Sequence, residues 1–433
     1  MTSLHFVVTD GNLDINLWIR GAARAHQRRE PVRILFLTAE TWPTHRPDVS
    51  VLFGRYLRDE GFVVDLAAGQ APAGAGERAW LSGRTLLTRL SGGPTRRRLQ
   101  LVGHALAVAF RADRDAYDAL QVRDMPFVAS IVLLIARTKG LRFFYWMSFP
   151  IPEGQIMLAQ ARGLSAGWMK FLYPSVSGHV GRFLLQRWVL RRADHVFVQS
   201  PRMQQDLQAQ GVPSLHMTPV LMGVDCAEVR TLPPPQSDVR LIGRRVIGYL
   251  GTLERARKVE LLFQMLAVVR EKQPAAVLLL VGDTEDDAHR RWLHDQAAAA
   301  GVADAVIWAG WLPTHEGWQL IRQAEVALSM IPRGPLLDCG SPTKVPEYFA
   351  LGLPVVGNDN PDQKALIEAT GAGRCVPYTP EAFAAAVLDL LALPADERVR
   401  WAESGREYVQ AHRDYLQLAR SLAGRYRQLL ESS

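Results

Sequence analysis

Short apolar runs of β character alternate with segments of helical period along this chain, stop at a proline-rich connector, and then resume. The first series comprises residues 32–37, 62–67, 118–122, 141–147 and 195–199, with helical stretches such as VLFGRYLRDEG (51–61) between them. The connector is RTLPPPQSDVR (230–240). After it come RVIGYLG (245–251), AAVLLLVGD (275–283), AVIWAG (305–310), EVALSMIP (325–332) and PVVG (354–357). Continuous apolar strands separated by helices are the pattern of a parallel sheet covered on both faces. Two such series predict an α/β protein of two Rossmann-like domains, and 433 residues are enough for two cores. The first domain is placed at 1–228 and the second at 229–410, with a last helix at 411–433 around YLQLARSLAGRYRQLL (415–430). The first strand is VRILFLT (32–38), so residues 1–30 read as an extension. No repeat of roughly 20 to 50 residues is present, which argues against a solenoid.

Hydrophobic residues make up 48% and charged residues 21% of the chain, the balance of a soluble globular protein. The longest apolar run, MPFVASIVLLIA (125–136), is shorter than the roughly 20 residues that span a bilayer and is expected to be a buried helix. TDGNLDIN (9–16) is polar where a signal peptide needs an apolar core, so a cytoplasmic location is expected. Cys226, Cys339 and Cys375 are odd in number and lack metal-type spacing, which predicts a reducing compartment, no disulfide and no metal site. The net charge of +7 rests mostly on arginine, since the chain has only six lysines. Basic clusters stand at PTRRRLQ (94–100) and GRFLLQRWVLRRADH (181–195). The second reads as an amphipathic helix with Phe183, Trp188 and Leu190 among arginines. It suits either contact with an anionic membrane or the solvated face of a packed helix. No zinc-finger spacing or aromatic RNA-binding signature accompanies the charge, which argues against nucleic acid.

Ligands of open parallel sheets bind beyond the carboxyl ends of the strands, so the informative loops are those that follow strands. In GSPTKVPEYFALGLPVV (340–356), Ser341 is read as the N-cap of a helix, Pro342 as its first residue and Gly352 as its left-handed stop. At roughly 100° per residue, Val345, Tyr348 and Phe349 share a packing face, while Thr343 and Glu347 point the other way. The unpaired N–H groups at the start of this helix suit a phosphate. The plainer alternative is that Thr343, Lys344 and Glu347 are solvated. The first loop after the connector, in GYLGTLERARKVELLF (248–263), brings Gly251 together with Arg255, Arg257 and Lys258. A glycine there lets backbone approach a phosphate that clustered cations neutralise. No G-x-G-x-x-G follows either first strand, which argues against a dehydrogenase.

In their order these elements resemble the GT-B-fold retaining glycosyltransferases of glycosyltransferase family four, clearly from about residue 185 onward and more diffusely before it. The family's G-R-L-x-x-x-K-G-x-D-x-L loop falls on GTLERARKVELL (251–262), placing Thr252 at its arginine, Arg257 at its lysine and Lys258 at its glycine. The resemblance implies that these cations neutralise the donor diphosphate, with Arg255 or Lys258 standing in for the one that is missing. The family's E-x7-E element and G-x-P-V-V turn place Glu347 at the glutamate that holds the ribose hydroxyls, a task suited to a carboxylate that accepts two hydrogen bonds from a diol. The other glutamate falls on Cys339, as in a branch with an S-P-x-K helix start, and Asp338 is the neighbouring stand-in. PVLMGVD (219–225) resembles the P-x-G-V-D element that closes the first domain.

The amino-terminal half departs further from the family. TWPTHRPD (41–48) replaces a Gly-Gly loop, and FFYWMSFPIPEG (143–154) offers Trp146 and Ser148 where the family has a histidine. His45 and Asp124 are acceptor-side candidates by position. The resemblance implies a GT-B architecture, with two Rossmann-like domains closing on a central cleft and a last helix returning to the first. It implies a metal-independent, cofactor-free hexosyltransferase that moves a sugar from a nucleotide-diphosphate donor to a lipid-linked or polysaccharide acceptor in cell-surface glycan biosynthesis. The enzyme would work at the inner face of the cell membrane. Arg257, Lys258 and Arg255, the helix start, and the hydroxyls of Ser341 and Thr343 would stabilise the leaving diphosphate, with Gly251, Thr252 and Lys344 also on the donor side. The alternatives are a catalytically silent GT-B scaffold that partners an active glycosyltransferase, and a nucleotide-sugar epimerase of the same fold.

Overall fold

The computed structural model describes residues 31–72, 79–163 and 168–431. The extension placed at residues 1–30 lies outside them. Among the described residues the first sheet holds seven parallel strands: β1 (Val32–Trp42), β2 (Phe62–Gln70), β3 (Thr85–Thr88), β4 (Ala119–Arg123), β5 (Arg142–Met147), β6 (His195–Val198) and β7 (Met217–Pro219), in the order 3-2-1-4-5-6-7. The second holds six: β8 (Arg245–Leu250), β9 (Ala276–Val281), β10 (Val306–Gly310), β11 (Val326–Ser329), β12 (Val355–Asn358) and β13 (Gly373–Val376), in the order 10-9-8-11-12-13. These are two Rossmann-like domains.

The central strands hold because both faces are covered. All six residues of β9 are buried, and removing a leucine such as Leu278, Leu279 or Leu280 from water contributes about 1.5–3 kcal/mol. From β1 the chain runs outward through β2 and β3, then returns to place β4 on the other side of β1. The second sheet repeats this around β8 and β11. Each domain therefore has a switch point where the loops part and leave a crevice.

The helix Pro126–Lys139 is capped by Gly140 at φ 64°, with Arg137 and Lys139 in its last turn opposing the helix dipole. It corrects the expectation of a buried helix. Val128, Val132 and Ala136 enter the core, but Phe127, Ile131 and Leu134 face outward. The 181–195 segment also divides, since Leu190 is buried, Trp188 is half-buried under the Arg192 guanidinium at 4.2 Å, and Phe183 is exposed.

The chain crosses between domains twice. Gly223 packs against the backbone at Arg413 so closely that a Cβ would lie 2.1 Å from its carbonyl oxygen. Val224 and Arg413 share a backbone hydrogen bond of 2.9 Å there. The last helix, Tyr415–Glu431, then lies on the first sheet, where Tyr415, Ala419, Leu422 and Tyr426 join Phe36 and Phe144 in one core. The Tyr426 hydroxyl bonds to Gln121 on β4.

Candidate functional site

The end of β8 sets the first wall of the site. Gly251 has φ 144°, and a Cβ on it would lie 2.7 Å from Lys344 Cε. Its carbonyl oxygen would be 2.2 Å from a Cβ on Gly282, so two loops touch backbone to backbone. A tight turn, Arg255–Arg257, follows, and Lys258 closes it at φ 49°. A glycine would adopt that left-handed geometry without strain. Arg257 is half-buried and its carbonyl accepts from the Tyr378 hydroxyl at 3.3 Å. Lys258 is exposed. Arg255 is also exposed and turns toward Asp286, 3.6 Å away.

The second wall is the helix Lys344–Leu351. Tyr348 anchors it beneath the crevice, its hydroxyl accepting from the Leu250 N–H at 2.8 Å and donating to the Leu328 carbonyl at 3.1 Å. Val345, Tyr348 and Phe349 are buried, and Gly352 ends the helix at φ 79°. Lys344 lies across Gly251 with its Nζ over the Tyr249 ring at 5.3 Å. Burial, reinforced by the neighbouring Arg257 guanidinium and resisted by Glu347, lowers the Lys344 pKa to about 7. Burial also pushes Glu347 up to about 7, against the pull of Lys344 and of the Thr343 hydroxyl. The Trp318 indole N–H leans toward this carboxylate without closing a full hydrogen bond. Thus Arg257, Lys344, Thr343 and Glu347 share one electrostatic neighbourhood around Gly251, with Thr252 beside it.

Ser341 is a correction. The helix begins at Lys344 behind Thr343, and no side chain caps it. The Ser341 hydroxyl is buried elsewhere, accepting from Met222 N–H at 2.9 Å and donating to Asp362 at 2.7 Å. Arg413 completes this knot through a 2.5 Å contact with Asp362. Asp338 is engaged by Arg333 at 2.8 and 3.0 Å, and Gly334 N–H adds a contact at 3.3 Å. These bonds outweigh burial and lower its pKa. Cys339 is buried against the first domain, where Ser200 donates to its carbonyl at 2.6 Å. Burial pushes its thiol up to about 12. All three cysteines are unpaired.

On the first domain, Trp146 is a second correction. It is 2% exposed and packs between Phe53 and Phe197, so it faces the core. His45 is exposed in the loop after β1. Asp124, at φ 56°, and Ser148 do meet at the strand ends, where the Ser148 hydroxyl and N–H both donate to the carboxylate. Burial raises the Asp124 pKa against Arg123 and Ser148, which pull it down. Sequence reasoning missed the partner of this pair. Arg123 is 4% exposed and reaches Asp48 at 3.0 Å, Glu40 at 3.0 Å and Asp124 at 3.3 Å. Burial opposes its charge, but Asp48, Asp124 and Glu40 outweigh it and raise its pKa. The available signal was an Arg-Asp pair ending the strand next to β1.

Residues 49–223 match the family model described as a glycosyl transferase 4-like domain, and residues 244–393 match the one described as glycosyl transferases group 1. No curated protein matches the sequence. Among solved structures, the fold is similar to sucrose-phosphate synthase from Thermosynechococcus elongatus, with TM-score 0.69 and 20% identity over 94% of this chain and 100% of that one. It is also similar to Anabaena Alr3699/HepE in complex with UDP-glucose, with TM-score 0.64 and 15% identity over 92% and 99% of the two chains. WaaG, a glycosyltransferase involved in lipopolysaccharide biosynthesis, gives TM-score 0.59 and 14% identity over 90% and 98%. Two domain matches in the order of the two sheets, on a shared two-domain architecture, place the chain among the GT-B-fold glycosyltransferases.

Proposed function

We propose that this chain transfers a hexose, with retention at the anomeric carbon, from a nucleotide-diphosphate sugar to a lipid-linked or polysaccharide acceptor in cell-surface glycan biosynthesis. The observation that carries this reading is the convergence of Arg257, Lys344 and Glu347 around Gly251 at the switch point of the second sheet. The leaving diphosphate gains charge as the glycosidic bond breaks. Cations already held in place stabilise that charge without reorganising. Lys344, lying over Gly251 beside Thr252, fills the role of the missing arginine, while Lys258 supplies the turn geometry. Glu347 accepts the ribose diol. Thr343 and the N–H groups of Lys344 and Val345 in the first helical turn complete the donor side in this scheme. Protein cations do the work of a metal in this scheme. A structural neighbour carrying UDP-glucose supports the donor class.

Asp124, held by Arg123 and Ser148 at the switch point of the first sheet, is the acceptor-side group in this scheme. Titration calorimetry with UDP and UDP-glucose, followed by mass spectrometry of products from a panel of donors, tests the proposal. Glu347→Ala is expected to abolish donor binding with unchanged circular dichroism; unchanged affinity removes the ribose assignment. A silent scaffold is the second reading, favoured by Thr252 and by a Cys339 turned into the domain contact. It predicts donor binding with no donor hydrolysis.

A further inference from the structure

The helix Trp168–Leu184 is built inside out. Its protein-facing positions are small: Pro174, Gly178 and Gly181 are buried, and a Cβ on Gly178 would lie 2.6 Å from Ile156. Its large apolar side chains face outward along one stripe, with Trp168 at 67%, Tyr173 at 59% and Phe183 at 64% exposure, and Leu172, Val176 and Val180 between them. An ordinary surface helix does the reverse. Phe127, Ile131 and Leu134 of the helix Pro126–Lys139 and Leu99 of the helix Pro94–Arg111 extend the apolar face. Between these helices runs a groove of about 640 Å³ lined by Leu99, Val102, Phe127, Leu172, Tyr173 and Val176. A contiguous apolar patch of this kind marks an interaction surface.

The charges around it choose the partner. Arg96, Arg97 and Arg98 stand exposed in the first turns of the helix Pro94–Arg111, where the helix dipole disfavours cations and the first turn itself carries no acid. Arg98 donates to the Tyr173 hydroxyl at the groove rim at 2.5 Å. Beyond Phe183 the chain presents exposed Arg187 and Arg191. No acidic residue occurs between Glu77 and Asp113, or between Glu153 and Asp194. A two-fold interface with a second copy would bring this arginine rim against itself. Apolar and aromatic side chains ringed by cations fit the interface of an anionic bilayer instead.

We infer that the Trp168–Leu184 helix and the Pro94–Arg111 helix form a docking face for anionic phospholipid bilayers, with the 168–183 stripe seated at headgroup depth and the arginines on lipid phosphates. The face goes beyond the transfer reaction, and vesicle binding is read without turnover, so either claim can fail alone. The full chain is floated with vesicles of equal parts phosphatidylglycerol and phosphatidylcholine, and with phosphatidylcholine alone. Binding is expected on the anionic vesicles, weakened by salt, with slowed hydrogen exchange over residues 168–183. Trp168→Ser with Phe183→Ser should lower the bound fraction roughly tenfold or more, with the thermal midpoint unchanged because both side chains are exposed. Arg96→Glu with Arg97→Glu should lower it without touching the stripe. Absence of flotation overturns the inference, as does equal binding to neutral vesicles. A lipid-free dimer that protects 168–183 from exchange overturns it too.

Discussion

At the scale of single residues, the site turns on Lys344. Burial and Arg257 hold its ammonium near neutrality, with a pKa of about 7 against an ordinary 10.5. A bound diphosphate restores the charge, so at about pH 8 donor binding takes up a proton and affinity falls with rising pH, by at most about tenfold per unit. Glu347 is mostly ionised at that pH and does not offset the uptake. Calorimetry of UDP binding in buffers of different ionisation enthalpy should register the proton, and Lys344→Met should erase it. Arg257→Ala is expected to lower kcat by more than it weakens donor affinity, because its charge counts most when the diphosphate departs. Steady-state kinetics beside donor titration separate the two, and equal losses would mean uniform binding. Much of this site was legible in the sequence, since Gly251, Arg257, Lys344 and Glu347 were all singled out there. The misread residues were those whose side chains had several directions open to them. Ser341 has the chemistry of a helix cap, yet Asp362, Met222 N–H and Arg413 claim its hydroxyl. Trp146 sits on a strand that ends at the crevice, but the two-residue period turns it toward Phe53.

At the scale of elements, the loop after β8 is shaped by Lys258, held at φ 49°. A side chain in this region costs about 1–2 kcal/mol that glycine does not pay. Lys258→Gly should therefore raise the thermal unfolding midpoint slightly and leave donor affinity nearly unchanged. Lys258→Val should lower the midpoint. A large loss of donor affinity in the glycine variant would return the lysine charge to the site. The strands that escaped the sequence reading are β3, β7 and β13. They lie at sheet edges, are three or four residues long, and read TLLT, MTP and GRCV. Their residues are mostly half-buried and the strands are short, so their sequences lack the continuous apolar run that marked β9.

At the scale of the whole molecule, the two domains are tied where the chain crosses. Arg413 joins Asp362, Ser341 and the Met222 carbonyl, and both members of the ion pair are about 95% buried. Removing one partner strands the other charge, so Arg413→Met should destabilise the protein by about 3–5 kcal/mol in denaturant unfolding. An unchanged midpoint would show that the knot merely fills space. The sequence by itself determined the class of fold, the two sheets, the connector and the loops that bear cations, because period and apolar content are local properties of the chain. Tertiary structure alone decided that Lys344 lies on Gly251, that Arg123 gathers Glu40, Asp48 and Asp124, and that the 168–184 helix shows its apolar side to the outside. Each of these depends on contacts between residues far apart in the chain, and a helix has the same period whichever side it turns to its neighbours.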